Sequence, residues 1–187
     1  MNYKYHIDSS STCSWHKLIQ EALSKSHYHL TEDLESYLIF LLMRFTNDTR
    51  LADSILALEY LESQNLSGTT QHEHLRDVGD KCLLFAGFYP EQAHKKLVSL
   101  PYFVNLGRGA YDQIARKTIY HHQLYTGLND LFAQLASNFV NLLTVLQQIK
   151  LLDQTHSWQP DEITQFETQK LKTSLSTDPL IIKNTFH

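Results

Sequence analysis

The segment from Gln71 to His94 holds most of the side chains that could support chemistry. It reads QHEHLRDVGDKCLLFAGFYPEQAH and contains three histidines, two of them in its first half together with three acidic residues. On a helix, residues three and four positions apart share a face. Asp77 lies four positions after Glu73 and three after His74, which would permit a metal site built from carboxylate and imidazole ligands.

The same letters also fit an ordinary solvated helix face. Arg76 and Asp80 are four positions apart, and so are Asp77 and Lys81, so two ion pairs can form along the helix. Structural ion pairs of this kind are common outside active sites. We therefore favour the ion pairs over the metal site and predict a polar rim in the first half of this helix.

A second candidate site joins this segment to LGRGAY, residues 106–111. The Gly-x-Gly within it is not GxGxxG and follows no predicted strand, so it does not indicate a dinucleotide site. An arginine between two glycines could instead reach an anionic ligand or a buried carboxylate. The predicted cluster could be a ligand pocket or a structural polar network that joins two helices, and we favour the structural network. Its members are Arg76, Asp80, Arg108 and Tyr111.

No recognised catalytic motif accompanies these residues. The sequence contains no HExxH, GxSxG or GxxxxGK[ST] motif. It has one Glu-x-x-His pair, Glu91 and His94, whereas a di-iron carboxylate bundle needs two such pairs and two further glutamates. We therefore predict no catalytic residue and no cofactor.

Composition limits the class of protein and its partners. The 187 residues suit one domain, and a formal net charge of −4 disfavours nucleic-acid binding, which normally needs a basic excess. No stretch approaches ~18 uninterrupted apolar residues, and the N-terminus lacks an apolar signal segment. We therefore expect no membrane span and a cytoplasmic location. Of the two cysteines, Cys82 lies in an apolar run and is predicted to be buried.

Apolar residues recur mostly at spacings of three and four, and only six glycines and four prolines interrupt the chain. This pattern predicts an all-α fold. We expect a single-domain helical bundle of about six to eight helices, with one long central or C-terminal helix. A flexible arm is expected at residues 1–11, the bundle at 12–152, and a linker, weak helix and loose tail at 153–187.

Capping residues and helix breakers place the individual helices. Thr31, followed by acidic residues, is a candidate N-cap, and Pro101 suits the first turn of a helix. The third predicted helix carries Leu51, Ile55, Leu58 and Leu61 or Ala52 on one side. The predicted helices cover about 12–26, 32–45, 51–64, 71–89, 90–98, 101 to 120 or 125, 127–152 and 161–175.

A 3.5-residue apolar repeat runs through the helix predicted at 127–152. At ~1.5 Å per residue this helix would be about 39 Å long, so it would span the domain or reach beyond it. The repeat fits either the main helix of a bundle or a self-association surface, and the lack of flanking charge pairs favours the bundle. The seam consists of Leu128, Phe132, Leu135, Phe139, Leu142, Leu146 and Ile149.

Small residues mark two helices that we expect to cross closely. A mid-helix glycine costs about 1 kcal/mol relative to alanine, so close packing is its natural explanation. Gly79, Cys82 and Ala86 line one of these helices, and Gly107 and Ala110 line the other.

The segment LRDVGDKCLLFAGFYPEQ, followed by YFVNLGRGAY, resembles a pattern in a family of uncharacterised small all-helical proteins of bacteria. The resemblance covers roughly the middle of the chain. It implies a bacterial, single-domain, soluble protein and carries over no activity and no catalytic residue.

Two functional hypotheses follow. The leading one is a cytoplasmic interaction or regulatory protein of the adaptor type, which acts through apolar helical surfaces, self-associates as a homodimer and binds a protein partner that the sequence does not identify. The alternative is a helical bundle that binds a metal or a small molecule, or an enzyme. In that case Glu73, His74, Asp77, Asp80 and Arg108 would face a shared cavity.

Overall fold

The computed structural model describes residues 9–46, 55–88, 99–121 and 126–154 of the chain. These residues form seven α-helices and no strand, so the predicted all-α bundle is confirmed for the described ranges. The helices are α1 (Ser9–Ser26), α2 (Glu32–Thr46), α3 (Leu56–Gln64), α4 (Gly68–Phe88), α5 (Leu100–His121), α6 (Thr126–Ser137) and α7 (Phe139–Gln154).

Several predicted boundaries can be compared with these helices. The first helix begins at Ser9, so the arm expected at residues 1–11 is too long by three residues. The predicted helices at 90–98 and 161–175, and the rest of the C-terminal segment from residue 155, lie outside the described residues. No described helix is both long enough and apolar enough to cross a bilayer.

Helix α2 begins where its capping residues predict. The backbone N–H of Leu34 donates to the Thr31 hydroxyl at 3.4 Å, and three acidic residues occupy the first turn. The same hydroxyl donates to Oε1 of Gln134 on α6 at 2.9 Å. Thr31 therefore caps one helix and connects it to another.

Helix α4 lies at the centre of the bundle, with α5, α7 and α3 packed around it and the most extensive contact made with α5. From Cys82 to Phe88 every residue is buried, as expected for a helix stretch that is apolar on all sides. The α1–α2 pair completes the bundle, since α1 packs on both α2 and α7.

The long helix expected at 127–152 is interrupted at Asn138, where α6 ends and α7 begins. The carbonyl of Gln134 accepts three hydrogen bonds there: from the backbone N–H of Asn138 at 2.8 Å, from Nδ2 of Asn138 at 3.0 Å and from the Ser137 hydroxyl at 3.1 Å. Polar side chains that compete for helix carbonyls are a known cause of helix bends. The prediction of one continuous helix is therefore wrong.

The seam of this predicted helix lies inside the bundle. Leu128 belongs to α6, but its side chain is outside the described set. The other six seam residues bury their side chains in the core of their own chain, so they offer no surface to a second copy in this fold. They are Phe132, Leu135, Phe139, Leu142, Leu146 and Ile149.

Candidate functional site

The most unusual polar feature of the molecule is a carboxylate enclosed by the bundle. Asp80, on α4, is 1% exposed. Its Oδ1 atom accepts hydrogen bonds from the hydroxyls of Tyr37 and Tyr111, each at 2.5 Å. Its Oδ2 atom accepts a hydrogen bond from Nη2 of Arg44, which makes the contact an ion pair. We call these four residues the Asp80 network.

Three helices bring the Asp80 network together. Tyr37 and Arg44 are seven residues apart on α2, which is two helical turns, so both face α4. Tyr111 comes from α5, and its ring occupies the space beside Gly79. A Cβ atom at Gly79 would lie only 2.5–2.9 Å from three atoms of that ring. The glycine therefore allows the tyrosine to approach α4 and reach Asp80.

Burial dominates the electrostatics of the Asp80 network. Loss of solvent raises the pKa of Asp80 above its ordinary value, although Arg44 and the two tyrosine hydroxyls oppose the shift. Burial and the nearby carboxylate also raise the pKa of Tyr37 and of Tyr111, so both remain hydroxyl donors. Burial alone would lower the pKa of Arg44, but Asp80 and Asp77 raise it.

This arrangement suits a structural network better than a reaction centre. Both oxygens of Asp80 already have partners, and the residue lines neither of the two surface grooves found among the described residues. A carboxylate without access to solvent or substrate holds helices together by satisfying the donors buried around it. The Asp80 network therefore joins α2, α4 and α5.

The polar network continues from Asp80 to the surface. Nη1 of Arg44 also lies 3.2 Å from Oδ1 of Asp77, a residue whose side chain is half exposed. Nη2 of Arg76 lies 3.7 Å from the same oxygen. Asp77 therefore stands between two guanidinium groups at the edge of the bundle.

The ion pairs predicted along α4 are not the ones that form. Asp80 pairs with Arg44 rather than with Arg76, because it faces the inside of the bundle. Lys81 pairs with Glu59 of α3 at 2.8 Å rather than with Asp77. The charges that were expected to decorate a solvated face instead connect α4 to its neighbours.

The predicted cluster of Arg76, Asp80, Arg108 and Tyr111 is only partly assembled. Asp80 and Tyr111 are hydrogen-bonded. Arg108 is exposed, and its Nε donates to the carbonyl of Ala136 on α6 at 3.2 Å instead of to Asp80. Arg44 occupies the place that the sequence analysis gave to Arg108. Its signal is its position in the otherwise apolar end of α2, where a charge needs a buried partner.

The predicted metal set is not assembled either. Glu73 and His74 are exposed on α4, while Asp77 faces Arg44. Among the residues with described side chains, no group of three or more His, Cys, Asp or Glu is placed to hold a metal ion.

The small residues of α4 and α5 lie at a close crossing of the two helices. A Cβ atom at Gly107 would lie 2.8 Å from Cβ of Cys82 and 2.6 Å from two ring atoms of Phe139. Cys82, Ala86 and Ala110 are fully buried. Burial also raises the pKa of the Cys82 thiol, so this cysteine is a core residue without a reactive thiolate.

Aromatic rings surround the Asp80 network. Phe132 lies edge-on to Tyr37, with ring centroids 6.2 Å apart, and tilted against Tyr111 at 5.9 Å. His72 of α4 also lies edge-on to Phe132 at 5.1 Å, and its Nε2 atom is buried without a hydrogen-bond partner. Burial, together with the charge of Arg76, lowers the pKa of His72.

Open grooves occur at two places among the described residues. The first, of about 380 Å³, lies at the junction of α1 and α2. The second, of about 420 Å³, lies between α5 and α6, and we call it the α5–α6 groove. It is lined by Arg108, Gly109, Asp112 and Arg116 on one side and by Ala133 and Ala136 on the other.

An apolar surface lies on α3. Leu58 and Leu61, about one turn apart in α3, are 50% and 62% exposed, and Ile55, the N-cap residue just before the helix, is 65% exposed. We call this set the α3 face. The apolar spacing predicted these three residues on one side together with Leu51 or Ala52, which lie outside the described residues. Within the helix, Leu56 and Ser63 are buried in the bundle.

Comparison with known proteins adds no further assignment. No protein-family model matches this sequence, and no curated protein or solved structure matches it either.

Proposed function

We propose that this protein acts by contact with another protein, which docks on the α3 face. The observation that carries the proposal is the exposure of Leu58 and Leu61 on α3, together with that of Ile55 at its N-cap. Scattered exposed apolar residues are normal on protein surfaces, but a contiguous apolar patch marks an interaction surface. An apolar helix face of this kind is used in helix-in-groove and helix-on-helix recognition.

The helix that carries the face is firmly attached to the bundle. Glu59 pairs with Lys81 of α4, and Nε2 of Gln71 donates to the carbonyl of Ser63 at 2.8 Å. The amides of Gln64 and Gln113 exchange two hydrogen bonds, at 3.1 and 2.8 Å, which connect α3 to α5. A helix held on its inner side presents its outer side with little ordering cost on binding.

The size of the face favours a regulated contact over a permanent one. Three side chains supply roughly a few hundred Å² of apolar surface, less than the ~800 Å² per partner of a standard stable interface. A second copy of the chain meeting this face alone would dissociate readily. We therefore infer an adaptor-type role in the cytoplasm, with a different protein as the main partner and self-association as a weaker contact.

A photo-cross-linking residue at position 58 tests the proposal in the source cells. We expect a discrete adduct that disappears when Leu61→Glu is added, because a charge on the face opposes docking. The same cross-linker at Leu151, an exposed apolar residue of α7, is the matched control and should give no such adduct. An adduct of twice the chain's mass would identify a second copy, and the absence of any adduct specific to position 58 would overturn the proposal.

A further inference from the structure

The glycines of α4 and α5 differ in what fills the space of their missing side chains. Beside Gly79 the space is taken by Tyr111, beside Gly87 by Leu146, and beside Gly107 by Phe139 and Cys82. A Cβ atom at Gly109 would meet nothing within 4 Å. A glycine inside a helix costs about 1 kcal/mol relative to alanine, so the open space at Gly109 lacks the packing reason that the other three have.

Gly109 lies in the α5–α6 groove, beside an arginine that contacts α6. Nε of Arg108 donates to the carbonyl of Ala136 at 3.2 Å, so the guanidinium group is linked to the opposite wall of the groove. Its two terminal nitrogens have no hydrogen bond or ion pair within the described ranges. They form the paired donor arrangement that matches the two oxygens of a carboxylate or a phosphate.

The rest of the groove supports an organic anion. Its volume, about 420 Å³, falls within the range of small-molecule sites. Its other wall is formed by the small side chains of Ala133 and Ala136, and Arg116 lies about 12 Å further along α5, paired with Asp112 at 2.7 Å. Two arginines and one aspartate are the charged residues among the described lining of the groove.

We propose that the α5–α6 groove binds a small organic oxyanion, whose carboxylate or phosphate group meets Arg108 and whose body lies over Gly109. The missing side chain at position 109 gives the ligand contact with the helix backbone and with the two alanines opposite. This site is separate from the α3 face, so the proposal does not depend on the protein contact inferred there.

Nuclear magnetic resonance titration of the full chain tests the proposal, with benzoate and phenyl phosphate as probes and inorganic phosphate as the bare anion. The signals to follow are the Nε–H of Arg108 and the backbone amides of residues 105–112 and 133–137. We expect saturable shifts with at least one organic probe, and the stronger of the two identifies a carboxylate or a phosphate as the preferred group.

Three variants separate a built site from general charge attraction. Arg108→Gln removes the guanidinium group and with it a charge-assisted hydrogen bond to the ligand. Gly109→Leu fills the groove without a clash at Cβ and removes the contact surface of the ligand. Each variant should weaken binding by about tenfold or more. Lys17→Gln, which removes an exposed positive charge from α1 outside the groove, is the matched control and should change the affinity by less than about threefold. The proposal is overturned if Lys17→Gln weakens binding as much as Arg108→Gln or if Gly109→Leu has no effect. It is also overturned if inorganic phosphate binds as tightly as the organic probes, or if no saturable shift occurs below about 10 mM probe.

Discussion

Asp80 exchanges its contact with water for three donors supplied by two other helices. A buried carboxylate is tolerated only when such partners satisfy its oxygens, and the loss of one partner leaves the others unpaired. Tyr37, Tyr111 and Arg44 supply the three donors, and none of them is close to Asp80 in the sequence. At the scale of single residues, the fold is therefore specified most strongly at this network.

The Asp80→Asn variant should reveal the raised pKa through its pH dependence. A carboxyl with a higher pKa in the folded state binds its proton more tightly when folded, so its stabilising contribution grows as the pH falls through that pKa toward the ordinary value of 3.8. It is lost as the pH rises. Asparagine does not titrate, so the free-energy gap between wild type and variant should widen on acidification.

Urea unfolding at a series of pH values measures this gap. At neutral pH we expect the variant to be less stable by about 1–3 kcal/mol, because Arg44 loses a buried acceptor and keeps only Asp77. A gap that narrows as the pH falls would show that the folded-state pKa of Asp80 is depressed. His72→Gln is a useful comparison, since the lowered pKa of His72 makes wild type lose stability on acidification.

The residues of this network were only partly predictable from the sequence. Spacing along α4 placed Asp80 near Arg76 and Lys81, and helix periodicity alone offers ion pairs within the same helix. The actual partners lie on α2 and α5, 43, 36 and 31 positions away. Pairing over such separations depends on tertiary packing, which the local pattern does not contain.

The contact between helices α4 and α5 depends on which side chain packs beside each glycine. Gly79 and Gly107 were predicted from small-residue spacing to mark a close crossing, and both are buried at it. The spacing did not predict that the space beside Gly79 would receive an aromatic ring rather than the backbone of the other helix. Ring placement depends on Asp80, which holds the hydroxyl of Tyr111.

A matched pair of glycine-to-alanine variants tests this difference. Gly79→Ala puts a methyl group within 3 Å of the Tyr111 ring, so it should destabilise the fold by about 1–3 kcal/mol, as expected for overpacking. Gly109→Ala meets no atom and should stabilise it by up to about 1 kcal/mol through helix propensity. Thermal and urea unfolding measure both, and equal effects of the two variants would contradict the packing described at Gly79.

The break between α6 and α7 shows a different limit of the sequence pattern. The apolar repeat continues through Asn138 without a change of phase, so periodicity predicts one helix. At Asn138 the Ser137 hydroxyl and Nδ2 of Asn138 both donate to the Gln134 carbonyl, which also keeps its bond from the backbone N–H of Asn138. Side-chain bonds of this kind depend on rotamers and are weakly encoded in the spacing of apolar residues.

For the whole molecule, apolar spacing was sufficient to predict the all-α fold class. It did not predict which apolar faces would be covered within the chain. The seam, with the longest regular repeat, is buried, whereas the shorter α3 face is exposed. Both patterns are amphipathic in sequence, and the difference arises because α4, α1 and α5 cover α7 while only the inner side of α3 meets the bundle.

The position of the seam leads to a prediction for the unfolding of the whole chain. Leu142 is fully buried on α7, so Leu142→Ala should lower the free energy of unfolding by about 2–5 kcal/mol through lost burial and a residual cavity. Leu151→Ala, on the same helix but 48% exposed, is the control and should change it by less than about 0.5 kcal/mol.

Protein concentration then distinguishes a core from an interface. Because the seam packs within one chain, the loss caused by Leu142→Ala should be the same at low and high protein concentration. If the seam instead joined two copies, wild-type stability would rise with concentration by mass action, and the variant would lose that dependence. Calorimetric scans of both variants across a wide range of protein concentration provide the measurement. If the loss of unfolding free energy caused by Leu142→Ala depended on protein concentration, burial of the seam within the single chain would be contradicted.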